Sequence, residues 1–427
     1  MRLRRVRTGN TTMTEYSAPL RSQKPHEPYC FAALCSPCVS DRLTSMKLTR
    51  VSLKNWRNFR ELNVDIHNRL FVVGANASGK SNFLDALRFI GEIARRGGGM
   101  TSALDTRGGM KNVRNLNARN FNRGQVTFEL HLQDDSHDWI YRLSLHQEKN
   151  GLHRPLVAEE AVYKDKNELL LRPNSDDMDD PELLTQTHLE QIAANKSFRQ
   201  LADFFSSIEY FHLSPQALRE TAHGASTSDA FGRGFLAEIN SVPEQTRNAW
   251  LGRIQAALTA AVPEFESLKL QVDRSGNPHL VAGYRHWRKE AAHQQETEFS
   301  DGTLRLIGLL WAVISKSSSS GLLLLEEPEL SLNSGIVRVL PTLFARAQRG
   351  KSMQIAMSTH SPDLLDDEGV DPAEVLALRV GREGTTGTLI SEIESVHAEL
   401  AAGLPLSDVV DALINPHGLD GLISVAS

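Results

Sequence analysis

The sequence predicts an α/β fold with a mixed central sheet, an antiparallel β lobe and a helical insert. Three observations carry this. Leu70–Val73 and Leu322–Leu325 are short, fully apolar runs, and such runs fit parallel strands buried on both faces. The first run leads into a glycine-containing loop and then into Phe83, Leu84, Ala86, Leu87 and Ile90, which recur at helical spacing. Between the two runs, Gln125–Leu132 and Asp138–His146 alternate apolar and polar residues around Asp134-Asp135-Ser136-His137, the pattern of a hairpin.

The composition is that of a globular chain. Of 427 residues, 40% are hydrophobic and 23% charged, which excludes wholesale disorder and fibrous repeats. Lys plus Arg is 47 and Asp plus Glu is 52, for a net charge of −5, so any basic surface is local. No apolar run is long enough to cross a bilayer. The three cysteines, Cys30, Cys35 and Cys38, exclude a disulfide framework, and a reducing, cytoplasmic setting is expected.

Residues 1–45 stand apart. Arg2, Arg4, Arg5, Arg7, Arg21, Lys24 and Arg42 face only Glu15, Glu27 and Asp41, and no apolar period is sustained. The segment reads as a disordered leader or a start assigned too early, because Met46 is followed at once by the strand-like Lys47–Leu53. A targeting peptide is the other reading. The cysteine spacing invites a metal site, but three cysteines are one ligand short of the usual four.

The strongest motif is Gly74-Ala75-Asn76-Ala77-Ser78-Gly79-Lys80-Ser81, the G-x-x-x-x-G-K-S pattern of a P-loop NTPase. A buried strand delivers the chain to a tight loop whose backbone N–H groups face phosphates. The following helix adds its positive dipole end. Lys80 supplies a point charge to the β/γ oxygens and the Ser81 hydroxyl a Mg²⁺ ligand.

Leu322–Leu325 ends in Glu326-Glu327-Pro328-Glu329. Ligands of doubly wound sheets sit beyond the carboxyl ends of the strands. There Glu326 can hold Mg²⁺ through its water shell, and Glu327 can accept a proton from an attacking water. Glu326 stands where Asp is usual, and the extra methylene moves the carboxylate outward by roughly 1.5 Å. Upstream, Ser300-Asp301-Gly302-Thr303 begins an apolar helix. These are cap residues, and a capped N-terminus with a hydroxyl is also a γ-phosphate ligand. Downstream, Met353–Pro362 reads as a further buried strand, with His360 at its carboxyl end.

With these elements in order, the chain resembles the ABC-type ATPase heads of the SMC, RecF and OLD group, and most of all the compact bacterial RecF-like AAA-type ATPases. The carrying residues are Lys54–Phe59, Gly74–Asn82, Ser300–Thr303, Glu326–Glu329 and Ser358–Pro362, within a span from residue 46 to about 395. The resemblance implies a P-loop NTPase fold of the ABC/SMC-head kind that binds ATP and Mg²⁺. Gly74, Asn76, Ser78, Gly79, Lys80, Ser81 and Asn82 would contact nucleotide, and Ser81 and Glu326 the metal. Lys80, Glu327 and His360 would act in hydrolysis, His360 as the switch. Ser300 and Gly302 would reach the γ-phosphate of a partner subunit, two heads closing on two ATP molecules. There are departures. Ala77 stands where a third glycine is common, and Leu332-Asn333 where Leu-His-Pro is common. Gln216 is only a weak candidate for the glutamine that senses Mg²⁺ and water.

The domains expected are a leader (1–45), an N-terminal core part (46–125), a β lobe and helical insert (126–290), a C-terminal core part (291–400) and a tail (401–427). In the insert, residues 181–206 and 243–261 read as amphipathic helices, and Ser267–Asp273 with His279–Tyr284 as a second hairpin. No sustained heptads predict a coiled-coil arm. Arg95, Arg96, Arg107, Lys111, Arg114, Arg119 and Arg123 face Asp105 alone. That segment reads either as a contact to DNA phosphate or nucleotide, or as a flexible solvated loop.

Two functions are expected from different classes. One is ATP hydrolysis coupled to head dimerisation in DNA repair or anti-phage defence. The alternative is a slow nucleotide-gated module that controls a partner protein such as a toxin or nuclease encoded nearby. A transporter subunit is disfavoured, because the Ser300–Thr303 run lacks the transporter's Gly-Gly pair and the insert is too large. A built-in nuclease domain is not expected in the short stretch after His360, and no membrane partner is expected.

Overall fold

In the computed structural model, residues 45–115, 124–149, 151–220, 229–285, 292–316 and 321–414 are described. They lie in the compact unit Leu43–Ser427. The three cysteines, Arg119 and Arg123 lie outside the described residues.

Among the described residues, fifteen strands form two sheets. In chain order they are β1 (Lys47–Trp56), β2 (Phe59–Asp65), β3 (Arg69–Gly74), β4 (Val126–Gln133), β5 (Asp138–Gln147), β6 (Pro155–Lys164), β7 (Asn167–Arg172), β8 (Glu209–Phe211), β9 (Phe265–Val272), β10 (Pro278–Tyr284), β11 (Ala292–Gln295), β12 (Gly321–Glu326), β13 (Met353–Ser358), β14 (Val375–Gly381) and β15 (Gly384–Leu389). The large sheet is mixed, in the order β7-β6-β5-β4-β1-β2-β15-β14-β3-β13-β12-β8. The antiparallel lobe is therefore continuous with the core sheet through β1 and β2. β9, β10 and β11 form the second sheet, so the second hairpin gains a strand.

The strands β14, β3, β13, β12 and β8 run parallel. Every residue of β3, β12 and β13 is buried, as expected for parallel strands covered on both faces. Alternation divides them between two cores. Leu70, Val72, Leu322 and Leu324 pack with Phe83, Leu87 and Ile90 of the helix Lys80–Ala94. Phe71, Val73, Leu323 and Leu325 pack with Leu304, Ile307 and Trp311 of the helix Asp301–Lys316. The lobe is joined to the first helix by a cluster of Trp56, Phe89 and Phe128, whose ring centroids lie 5.1–5.4 Å apart.

Two expectations are corrected. Residues 181–206 are not one amphipathic helix: Pro181–Thr185 and Ala194–Phe198 are 3₁₀ turns, and only Arg199–Ser206 is α-helical. The buried Glu160 carboxylate accepts from the backbone N–H of His188 (2.7 Å) and Leu189 (3.0 Å). Arg172 donates to the carbonyls of Leu183 (2.8 Å) and Gln186 (2.9 Å). These side chains claim backbone groups that a helix would need. The basic segment is not simply a solvated loop either. It contains the helices Met100–Asp105 and Met110–Val113, and Arg107 is buried against Asp85 (2.7 Å) and Glu92 (2.5 Å).

The second helix reading holds, as Glu244–Ala261. Within the stretch read as a tail, the helix Leu406–Ile414 buries Val409 and Val410 in the second core. Among the described residues, no helix is long and apolar enough to cross a membrane.

Candidate functional site

The register of the parallel strands builds the site. Ser358 pairs with both Val72 and Glu326, so the ends of β3, β13 and β12 arrive side by side. The loop Gly74–Gly79, Thr359-His360 and Glu327 therefore leave the sheet at one edge, and the helix Lys80–Ala94 starts there.

Local sequence shapes the loop. Gly79 has φ +104°, and a Cβ there would lie 2.0 Å from Asn58 Nδ2, so no other residue fits without displacing Asn58. Asn58 donates to the Ser78 carbonyl (2.9 Å) and accepts from Asn82 (2.8 Å), and Thr385 Oγ1 also donates to the Ser78 carbonyl (2.9 Å). Trp56 Nε1 donates to the Asn82 carbonyl (2.8 Å). Ala77, in place of a third glycine, takes φ +61°, a left-handed conformation that costs a non-glycine residue about 1 kcal/mol. It is exposed with Asn76 at the loop's outer turn, while the Ser78 hydroxyl is buried without a partner.

Lys80 is buried. Its ammonium donates to the carbonyls of Gly74 (2.7 Å) and Ala75 (3.1 Å) and lies 3.3 Å from His360 Nδ1. Desolvation lowers its pKa to about 8, against the opposing charges of Glu327, Glu329 and Glu326. His360 Nε2 is 3.0 Å from Glu327 Oε1. A neutral imidazole protonated at Nε2 satisfies both contacts: it accepts from Lys80 and donates to Glu327. Glu329 fixes the end of β13 by accepting from Thr359 Oγ1 (2.7 Å) and the His360 N–H (3.0 Å). Glu327 sits at φ +45°, with its N–H donated to the Ser358 carbonyl (3.1 Å).

Ser81 Oγ donates to Glu326 Oε1, and the Tyr210 hydroxyl donates to Oε2. A hydroxyl and a carboxylate at a helix N-terminus are hard oxygen donors. They fit Mg²⁺, which is usually held by one or two protein oxygens together with phosphates. Beside the loop opens a cleft of about 540 Å³ lined by Arg57, Asn58, Ala77, Asn82, Lys111, Arg114 and Val380, among others.

Lys80, Ser81, Glu326, Glu327 and His360 are thus brought together. The contacts of Ser300 and Gly302 lie elsewhere. Ser300 Oγ caps its helix through the Thr303 N–H (3.1 Å), and a Cβ on Gly302 would meet the Ser331 carbonyl at 2.4 Å. Gln216, just after β8, accepts from Ser214 Oγ (2.9 Å) and is exposed. Asn333 caps the helix Ser334–Val337 where His is common. Tyr210, Thr385 and Asn58 are site residues beyond those expected from the motifs. Only Asn58 lay in a motif that could have signalled it.

The parallel sheet, the glycine loop and the acid-tipped strand define a P-loop NTPase of the SMC-head kind. The family described as "AAA domain, putative AbiEii toxin, Type IV TA system" matches residues 70–366, and the chain belongs to this family of P-loop ATPases. The "P-loop containing region of AAA domain" matches residues 48–90. Over 46 residues the chain is 48% identical to the DNA replication and repair protein RecF of Lactococcus lactis subsp. lactis (strain IL1403). Over 45 residues it is 44% identical to the endonuclease GajA of Bacillus cereus (strain VD045). Each stretch is 10% of this chain, and they span only 13% of that RecF and 8% of GajA. Among solved structures, an SMC head bound to the C-winged helix domain of ScpA shares the fold, with a TM-score of 0.50 and 13% identity over 80% of this chain and 97% of that one.

Proposed function

We propose that this chain binds ATP with Mg²⁺ and hydrolyses it. The observation that carries the reading is the convergence of Lys80, Ser81, Glu326, Glu327 and His360 at one sheet edge. The N–H groups of the loop and the Lys80 ammonium hold the phosphates, releasing the Gly74 and Ala75 carbonyls that Lys80 now contacts. Asn76, Ser78, Gly79 and Asn82 shape this cradle. Ser81 and Glu326 would hold a Mg²⁺ ion, which would supply positive charge beside the phosphates. Glu327 takes the proton of the attacking water, and His360 positions Glu327 and senses the γ-phosphate. The cleft beside Ala77 and Asn82 has room for the nucleoside.

Two heads close on two nucleotides, with Ser300 and Gly302 of one reaching the γ-phosphate in the other. Ser300 bonds Thr303 and Gly302 packs on Ser331 rather than on their own phosphate loop, which supports an arrangement across subunits. The short stretches shared with RecF and GajA favour a role on DNA, in repair or in defence against invading DNA.

The test is ATP binding and turnover by wild type and Lys80→Ala, each with and without duplex DNA. Turnover that Lys80→Ala abolishes is expected, and turnover that survives the substitution refutes the assignment. Stimulation by DNA supports the role on DNA. Indifference to DNA with a co-purifying partner supports the alternative, a nucleotide-gated module.

A further inference from the structure

The carboxylate that meets Ser81 is gripped from its other side by a strand with no motif of its own. β8 lies parallel to β12 with Tyr210 opposite Leu324. The Tyr210 side chain therefore shares a face with Leu324 and with Glu326, two residues further on. Its hydroxyl reaches forward to Glu326 Oε2, while Ser81 Oγ takes Oε1. Behind the ring, the Arg88 guanidinium lies 4.8 Å from the ring centroid and is tied to Glu92 at 2.7 Å. Arg88 stands two turns after Ser81 on the same helix, so one helix orients both groups that bond to Glu326.

We propose that Tyr210 sets the cation preference of this site by occupying one oxygen of Glu326 and leaving the other, on the Ser81 side, for a single contact. The inference rests on the Mg²⁺-nucleotide reading above. Ca²⁺ takes about 6–8 oxygen ligands and readily accepts both oxygens of one carboxylate, whereas Mg²⁺ demands near-ideal octahedral geometry and keeps several waters. Chelation through both oxygens would have to share or displace the Tyr210 hydrogen bond on Oε2, so Tyr210 works against Ca²⁺ more than against a single Mg²⁺ contact. It also restrains the extra torsion that Glu326 has over the usual Asp. Tyr210 is a positioning residue that acts through Glu326.

The test titrates wild type and Tyr210→Phe with Mg²⁺ and with Ca²⁺ at a fixed concentration of a fluorescent, non-hydrolysable ATP analogue. Anisotropy gives the half-saturating concentration of each cation, and nucleotide affinity in EDTA is measured alongside. Phe keeps the ring and its contact with Arg88. The Ca²⁺-to-Mg²⁺ ratio of half-saturating concentrations should fall about tenfold in Tyr210→Phe, the scale of one hydrogen bond to a charged group, with the EDTA affinity unchanged. Glu326→Asp, which withdraws the carboxylate from the phenol, should shift the ratio the same way and serves if Tyr210→Phe does not fold. An unchanged ratio in a cation-dependent wild type overturns this inference alone. A wild type whose nucleotide binding ignores both cations overturns the Mg²⁺-nucleotide reading and this inference together.

Discussion

Nε2 of His360 lies 3.0 Å from Oε1 of Glu327, although the two residues follow different strands. The contact exists because β12 and β13 are parallel neighbours in register, with Glu326 opposite Ser358. Replacing His360 by Ala should lower ATP turnover by about 100-fold or more while nucleotide binding stays within a fewfold of wild type, since a positioned proton-handling group contributes on that scale. Steady-state turnover together with equilibrium nucleotide binding checks this. A variant with wild-type kcat would remove His360 from the reaction.

Glu327→Gln keeps the size and most hydrogen bonds of the side chain but cannot take up a proton. Turnover should fall at least about 100-fold with ATP still bound, and the closed dimer should accumulate. Light scattering with ATP and Mg²⁺ reads the outcome. A variant that remains monomeric under those conditions would argue against the trans role of Ser300 and Gly302.

Lys80 carries a stability cost at neutral pH. Its pKa in the fold is about 8, against 10.5 for the ordinary side chain. Between those values the unfolded state holds more protons, so stability rises with pH across that window and the full penalty applies below it. Lys80→Met should therefore stabilise the nucleotide-free protein at pH 7 by about 1–3 kcal/mol, with the margin shrinking as pH approaches 10.5. Melting curves at pH 7 and at pH 10 measure it, and a variant no more stable than wild type at pH 7 would contradict the account.

Arg172 and Glu160 have no exposed side-chain surface, and Arg172 also bonds Asp177 at 2.5 Å. Arg172→Met would strand two buried carboxylates and free the carbonyls of Leu183 and Gln186. A loss of about 3–5 kcal/mol is expected, readable by urea denaturation. A loss under about 1 kcal/mol would mean the network is not what holds the turns at 181–198 to the lobe.

The residues that meet at the candidate site were legible one motif at a time. Lys80, Ser81, Glu326, Glu327 and His360 lie at or soon after the ends of short, largely apolar runs that fit buried strands, and such strands place the residues that follow them at the carboxyl edge of a parallel sheet. Tyr210 gave no such sign. β8 is three residues long, and the partner of Tyr210 is 116 positions away. Arg107 shows the same limit: its carboxylate partners Asp85 and Glu92 sit on the preceding helix, outside any local charge count.

What the sequence determined by itself was the α/β class, the phosphate loop and the acid-tipped strands, because strand, turn and helix signals are local and the chemistry follows directly at their ends. Only the tertiary structure decided that the β lobe shares one sheet with the core, that residues 181–206 forgo a long helix, and that Tyr210 and Asn58 complete the surroundings of Glu326 and the loop. Those outcomes depend on hydrogen bonds between residues far apart in the chain. They form only once strand order and register have brought distant segments together, and no local pattern encodes them.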